Sequence, residues 1–323
     1  MYSISNLQEL VNQSVSDRKY PEIPSELYES ISYMMSLGGK RMRPVMLLMA
    51  CDLFDGSILN ALDPAVGIEL FHNFTLMHDD IMDKAPLRRG KPSVHAKWNE
   101  NLAILGGDTM LVEAYRLIMK VEDNILRPVL DIFNDTAEGV CQGQQIDMNF
   151  EQLDEVSVSS YMEMIRLKTA VLLAGSLKIG ALIGGAKPGQ AELLYKFGEN
   201  LGIAFQLQDD ILDVFGDTEK FGKQIGGDIT SNKKTFLLIK SMEIAEDLDA
   251  EELRYWLSTN QDNDNKIKAI TNIYNRLGIR YLAEMEMNQY AEKALRHLED
   301  IAADTAKKQA LRKFAEELLV REN

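Results

Sequence analysis

Apolar residues return every three to four positions along almost the whole chain, which is helical periodicity. PVMLLMACDLF (44–54), NLAILGGDTMLVEAYRLIMKV (101–121) and YAEKALRHLEDIAADTAKKQALRKFAEELL (290–319) each predict helix; small or polar residues interrupt the last two in places. Alternating β-branched runs are almost absent, and no strand–glycine loop–helix unit is seen. Several of the 8 prolines stand at expected helix starts, such as Pro44 after GGKRMR and Pro188 after GGAK. With no Ser/Pro-rich linker and no charge block, the pattern predicts an all-α protein with one domain over 1–323 and short connections. Two stretches need arbitration. TAVLLAGSLKIGALIGGA (169–186) is about long enough to cross a bilayer, but Lys178 at its middle and its Gly, Ala and Ser content predict a buried, closely packed helix. NQDNDNK (260–266) resembles the start of a calcium loop, yet Lys266 replaces a ligand and Ile267 the turn glycine, so a polar helix–helix connection is expected.

Charge narrows the partners. A net charge of −15 argues against nucleic acid or an anionic membrane surface, and makes any local gathering of cations conspicuous. Cys51 and Cys141 are the only cysteines and no CxxC spacing occurs, which disfavours a zinc site or a disulfide framework. MYSISNLQELVNQ lacks the basic start and apolar run of a signal peptide, so the reducing cytoplasm is the expected compartment, without an integral membrane segment.

HDDIMDKAPLRRG (78–90) places Asp79, Asp80 and Asp83 on neighbouring helical positions, and QLQDDILDVFGD repeats the spacing with Asp209, Asp210 and Asp213. Like charges stacked this way repel unless cations sit among them, and two such helices facing each other would place six carboxylates around one cavity. All-oxygen ligands suit Mg²⁺, Mn²⁺ or Ca²⁺ rather than zinc or copper. Mg²⁺ in turn is usually held by a few carboxylates together with substrate phosphates. The basic residues agree: Arg88 and Arg89 follow the first cluster, Lys223, Lys233 and Lys234 the second, and GGKRMRP adds Lys40, Arg41 and Arg43 beside Gly38 and Gly39. More than one phosphate group is expected.

GGKRMRP, HDDIMDKAPLRRG, LKT and FQLQDDILDVFGD, in that order, resemble the trans-type polyprenyl (isoprenyl) diphosphate synthases, from about residue 30 to the C-terminus. The resemblance implies an all-helical bundle around a deep central cavity, a homodimer, and condensation of isopentenyl diphosphate with an allylic diphosphate. It implies Mg²⁺, or Mn²⁺ in its place, held by Asp79, Asp83 and Asp209, with Asp80, Asp210 and Asp213 in support. Arg88, Lys168, Lys223 and Lys233 would contact the allylic diphosphate, and Lys40, Arg43, His72 and Arg89 the isopentenyl diphosphate. Thr169, Gln206 and the backbone near Lys168 would face the developing allylic cation, with Gln144 and Asp147 of GQQID lining the site. His78, beside the metal motif, carries no assignment. Where many bacterial members read EGK, this chain reads Ser231-Asn232-Lys233.

The resemblance also bears on product length, which the residues before the first aspartate motif limit. Phe74 lies five residues before Asp79, about 7 Å along a helix axis, with Thr75 at four and Phe71 at eight. Helix geometry alone would choose Thr75 as the residue on the aspartate face; the assignment of Phe74 as the floor comes from the resemblance. An aromatic at that position and an uninserted motif imply a short-chain synthase of the geranylgeranyl type, with Phe71 able to shorten the product to farnesyl. Terpene cyclases usually lack the second aspartate motif and GGKRMRP, and a metal-dependent phosphohydrolase has no use for DDILD or the arginine pair. A non-catalytic synthase subunit typically loses one of the clusters that this chain keeps.

Overall fold

The computed structural model describes residues 2–216, 225–259 and 263–319, and nearly all of its regular structure is helical. Two compact units emerge, each built from separate stretches: 1–134, 175–194 and 302–311 in the first, and 135–174, 195–301 and 312–323 in the second. Four of the five boundaries fall inside helices, and the fifth, at 301/302, falls in the short connection between the last two helices.

In the first unit the opening helices are α1 (Ile4–Ser16), α2 (Ser25–Ser36) and α3 (Met42–Leu53). They are followed by α4 (Ile58–Met82), α5 (Val94–Lys97), α6 (Glu100–Ile118) and the start of α7 (Asp123–Phe150). Helix α4 is apolar on every side and is buried along most of its length, as a central helix must be. It packs most extensively on α6 and next on α3. Between α4 and α5 lies an element that helical patterning did not announce, a hairpin of β1 (Leu87–Arg88) and β2 (Lys91–Pro92) paired antiparallel. Arg89 and Gly90 form its turn with φ of 53° and 74°, the double left-handed conformation that tight two-residue hairpins need.

The second unit takes α8 (Val158–Ile165), a π-helical turn (Arg166–Ala170) and the start of α9 (Val171–Ile183), then most of α10 (Pro188–Phe215). After these come α11 (Gly227–Thr230), α12 (Phe236–Ile244), α13 (Asp247–Ser258), α14 (Asn263–Arg276) and α15 (Ile279–Glu299). Helix α16 (Thr305–Leu319) closes the chain and straddles the unit boundary. The core is a continuous apolar cluster that includes Phe150, Tyr161, Ile165, Leu207, Ile211, Leu237, Ile273 and Ile279. Helix α12 lies on α15 and α8, and α14 lies on α11, α13 and α15.

No helix of the described residues is long and apolar enough to cross a membrane. Residues 169–186 are a buried segment, as their small residues predicted: Ala174, Ser176 and Ala181 are fully covered. Gly180 lets α9 rest on α3, because a Cβ there would sit 2.0 Å from the Leu47 carbonyl oxygen. Lys178 reaches the carboxylate of Glu192 at 2.7 Å. Two expectations change. The C-terminal stretch is two helices, because Asp304 caps a new one: its carboxylate accepts from the Lys307 N–H at 3.1 Å. Of the connection expected at 260–266, residues 260–262 lie outside the described residues, and 263–266 are the first turn of α14, with Lys266 1% exposed.

Candidate active site

In the first unit the segment before α3 turns on Gly38 (φ 83°), Gly39 (φ 135°) and Arg41 (φ 50°). A Cβ on Gly39 would lie 2.8 Å from both terminal nitrogens of Arg89, so the missing side chain lets that guanidinium rest against the loop. Arg41, counted with the cations from sequence, points inward and is 5% exposed. Lys40 and Arg43 flank it. The Lys40 carbonyl accepts from Gln8 Nε2 at 3.1 Å, and Arg43 Nη1 donates to His72 Nε2 at 3.2 Å. Burial first, then the charges of Arg43, Arg89, Arg88 and Arg41, hold the His72 imidazole well below its usual pKa. The ring is therefore neutral, and since a guanidinium only donates, Nε2 is the acceptor and Nδ1 carries the proton.

Asp79 and Asp80 occupy the last turn of α4 and Asp83 is its C-cap. Three carboxylates at the negative end of a helix dipole oppose the dipole as well as one another, an arrangement that needs cations. One is supplied within the chain. Arg88 Nε and Nη2 grip Asp80 at 3.0 and 2.5 Å, with Asp80 1% exposed. Arg89 sits at the hairpin turn, and burial lowers its pKa against an opposing pull from Glu69. Upstream on α4, Phe74 packs edge-on to His78 at 4.8 Å and lies 5.6 Å from Phe71, which in turn meets Phe133 of α7 at 5.3 Å. The Thr75 hydroxyl is spent on the His72 carbonyl at 2.8 Å. His78 bonds the Ile104 carbonyl through Nε2 at 3.1 Å, a packing role against α6.

In the second unit Lys168 and Thr169 lie in the π-helical turn between α8 and α9. Such a turn carries one extra residue and re-aims the side chains it contains. Gly143 of α7 makes room for it: a Cβ there would fall 2.3 Å from the Lys168 backbone nitrogen. Lys168 Nζ donates to Asp147 at 2.6 Å. Gln144, three residues before Asp147, is buried, and its Oε1 is enclosed with no partner among the described residues. The Thr169 hydroxyl donates to Gln206 Oε1 at 3.0 Å, and Gln206 Nε2 donates to Asp210 at 3.1 Å. Tyr161 Oη donates to the other Asp210 oxygen. Burial, reinforced by Asp228, pushes the Asp210 carboxyl up to about 7, against the pull of Lys233 and its two donors. Asp209 and Asp213 share α10, and Asp213 accepts the Asp228 N–H at 2.9 Å. Lys233 Nζ stands 3.8 Å from Asp228. Lys223 lies outside the described residues. Among the described residues no group of three or more His, Cys, Asp or Glu side chains is gathered as a ready-made metal site.

In the segment where many bacterial members of the resembled family read EGK, Asn232 stands at the glycine position with φ 54°, and its amide donates to the Leu257 carbonyl at 2.9 Å. Asparagine tolerates the left-handed region, and its side chain fastens the turn that carries Lys233.

Residues 24–274 match the family model described as Polyprenyl synthetase. The chain belongs to this family. It is 36% identical over 321 residues to the geranylgeranyl diphosphate synthase of Methanosarcina mazei, covering 99% of this chain and 97% of that one. It is 40% identical over 242 residues to the geranylgeranyl diphosphate synthase of Sulfolobus acidocaldarius, covering 73% of each. Superposed on a crystal structure of a geranylgeranyl pyrophosphate synthase, it gives a TM-score of 0.95 with 40% identity and 100% coverage of both chains. The protein is thus an enzyme, a prenyltransferase of all-α fold, and the cyclase and phosphohydrolase alternatives fall away.

Sequence reading missed three residues that the structure brings to these motifs. Tyr161 holds Asp210 from 49 positions away, with no spacing signal to announce it. Asp228, three residues before Ser231, faces Asp210 and Lys233. Glu69, one helical turn before His72, is 2% exposed and pairs with Arg41 at 2.6 Å.

Proposed function

We propose that this prenyltransferase condenses isopentenyl diphosphate with allylic diphosphates, with a divalent metal, to give geranylgeranyl diphosphate as its main product. One observation carries the reading: Arg43 meets His72 at 3.2 Å, the Arg89 guanidinium rests against the Gly39 loop and Arg88 clasps Asp80, all about the aspartate-bearing end of α4. In a chain of net charge −15, such a concentration of guanidinium groups fits a ligand with several negative charges.

Lys40, Arg43 and Arg89 hold the diphosphate of the isopentenyl substrate, with the His72 Nδ1–H as a further donor. Arg88, Lys168, Lys233 and Lys223 receive the allylic diphosphate. As the allylic C1–O bond breaks, its electron pair passes to the diphosphate, and fixed cations lower the energy of that charge. The isopentenyl double bond then attacks C1, and the departing diphosphate takes the proton lost from the resulting cation. Oxygen atoms of Thr169, Gln206 and the π-turn backbone face the cation, which the reaction requires to be kept from water in apolar surroundings.

The donor set fits a hard divalent cation, Mg²⁺ or Mn²⁺, because every candidate ligand is a carboxylate oxygen. Asp80 meets Arg88, Asp210 meets Tyr161 and Gln206, and Asp213 accepts the Asp228 N–H; the division into ligands and supporting residues follows the resemblance rather than these bonds. Asp79, Asp83 and Asp209 would hold the metal. When bound, the cation neutralises charge on the leaving diphosphate. We further propose one catalytic domain over 1–323, working as a homodimer in the cytoplasm.

The aromatic cluster Phe74–Phe71–Phe133, with tilted and edge-on contacts, supports a short product, since it fills the space one to two turns before Asp79. The test supplies labelled isopentenyl diphosphate and five-, ten- or fifteen-carbon allylic primers with Mg²⁺, Mn²⁺ or a chelator. A metal-dependent twenty-carbon product is expected. A fifteen-carbon end point would shift the stop to Phe71, products of thirty carbons or more would remove the Phe74 floor, and no product with any primer would overturn the reaction.

A further inference from the structure

Arg41 stands in the middle of the Lys40–Arg43 cation run yet faces no open site. Its guanidinium donates three ways: Nη1 to Glu69 Oε1 at 2.6 Å, Nη2 to the Met35 carbonyl at 2.8 Å, and Nε to Asn12 Oδ1 at 3.1 Å. These partners lie on α4, on α2 and on α1. Its backbone is equally committed. At φ 50° and ψ 35° it is left-handed, which a side-chain-bearing residue adopts only when its surroundings hold it there, and its carbonyl accepts the Val45 N–H at 3.1 Å. Glu69 is held in turn by Asn73, whose Nδ2 donates to the Glu69 carboxylate at 3.1 Å and to its carbonyl at 2.8 Å. Glu69 sits three residues before His72, on the same face of α4, and His72 receives the Arg43 guanidinium.

We infer that the buried Arg41–Glu69 pair positions the isopentenyl diphosphate site: it locks the loop so that Lys40 and Arg43, on either side of Arg41, are aimed while Arg41 touches no substrate. The inference rests on the assignment of that site above. Arginine is needed because only its planar fork satisfies three partners on three helices at once; lysine keeps the charge but not the fork. Glu69 is needed because it neutralises a charge taken out of water, and because a carboxylate one turn below His72 fixes the loop and the histidine to the same helix. Plain stabilisation would be supplied equally well by an apolar pair of similar volume, whereas aiming of the loop would not.

The test uses the full-length enzyme and two substitutions, Arg41→Lys and the double change Arg41→Met with Glu69→Leu. Calorimetry measures the Kd of isopentenyl diphosphate and of a non-reactive allylic thiodiphosphate, and steady-state assays supply the two KM values and kcat. Both variants should stay folded by circular dichroism, with Kd and KM for isopentenyl diphosphate raised by about tenfold or more, as expected for losing aim of a charge-assisted contact. Affinity for the allylic analogue should change by less than about twofold, since its own cations Arg88, Lys168 and Lys233 are not held by the pair. If the double variant fails to fold, Arg41→Lys alone decides. Isopentenyl diphosphate affinity like wild type in a folded variant, or equal weakening of both ligands, would overturn the inference. A wild-type protein that binds no isopentenyl diphosphate would instead overturn the site assignment, and the inference with it.

Discussion

Replacing Gly143 with alanine places one methyl group where the structure has no room. The Cβ would lie 2.3 Å from the Lys168 nitrogen, 2.7 Å from its Cα and 2.8 Å from the Leu167 carbonyl carbon. All three are backbone atoms, so no rotamer change relieves the contact. Ordinary van der Waals separation begins near 3.4 Å, which requires α7 and the π-helical turn to part by about 1 Å. Lys168 and Thr169 ride on that turn, and Asp147, Lys168's partner at 2.6 Å, rides on α7. A misplacement of this size costs about a hundredfold in rate when it falls on groups that aim the reacting atoms. Overpacking should also cost about 1–3 kcal/mol of stability, although alanine is the better helix former by about 1 kcal/mol. Gly139, one turn earlier on the same helix, supplies the control, because its Cβ would meet only side-chain carbons at 3.4 Å or beyond. Steady-state assays with labelled isopentenyl diphosphate and thermal unfolding of both variants make the comparison. The expected result is a hundredfold loss of kcat for Gly143→Ala, with Gly139→Ala near wild type. If Gly143→Ala kept kcat within about threefold of wild type, the π-helical turn would not be the element that aims Lys168 and Thr169.

Three further outcomes are expected. Asp79→Ala and Asp209→Ala should each lower turnover by at least about a hundredfold with the helical circular dichroism unchanged, and a fully active variant would end the metal-clamp assignment. Phe74→Ala should lengthen the main product by at least one five-carbon unit on chromatography, at a stability cost of about 3 kcal/mol; an unchanged product would move the floor elsewhere. His72 gives a pH signature. Its native pKa lies well below the value near 6.5 of an unfolded imidazole, so unfolding takes up a proton below pH 6.5 and native stability falls as the pH drops. Wild type should therefore lose up to about 1.4 kcal/mol per pH unit relative to His72→Asn between pH 6.5 and 5 in urea titrations, and parallel curves would contradict a neutral ring.

The residues legible in the sequence were those whose chemistry is local. Helical periodicity was enough for α3, α6 and the buried, small-residue α9, and a repeated acidic spacing was enough to single out the ends of α4 and α10. What stayed hidden depends on register or on distant partners. The hairpin at 87–92 has two residues per strand, too few for alternation to show, and its one local sign is the Arg89-Gly90 turn. The π-helical turn at 166–170 changes register by a single residue inside an unbroken apolar run, which composition does not record. Arg41 reads as a third surface cation until Glu69, 28 positions away, turns it inward. Position 300–304 reads as helix because its residues form helices well; only the capping by Asp304 makes it a boundary.

The two aspartate motifs look equivalent as letters and differ as built objects. In each, the middle residue is the buried one: Asp80 is 1% and Asp210 3% exposed. The partners, however, are of opposite kinds. Asp80 is clasped by a guanidinium from the hairpin, so the first motif and the cation that follows it are fastened together as one charged unit. Asp210 is held by the neutral donors of Tyr161 and Gln206, and the same Gln206 receives the Thr169 hydroxyl. The second motif is thereby tied to Thr169 and Gln206, the dipoles proposed to face the allylic cation. A charged partner resists separation and fixes distance, whereas a chain of neutral hydrogen bonds fixes orientation, each donor setting the rotamer of the next. On the proposed reaction the repeated spacing would serve two needs: the first motif would align an anion with its counter-charges, and the second would align uncharged oxygen atoms with a transient cation.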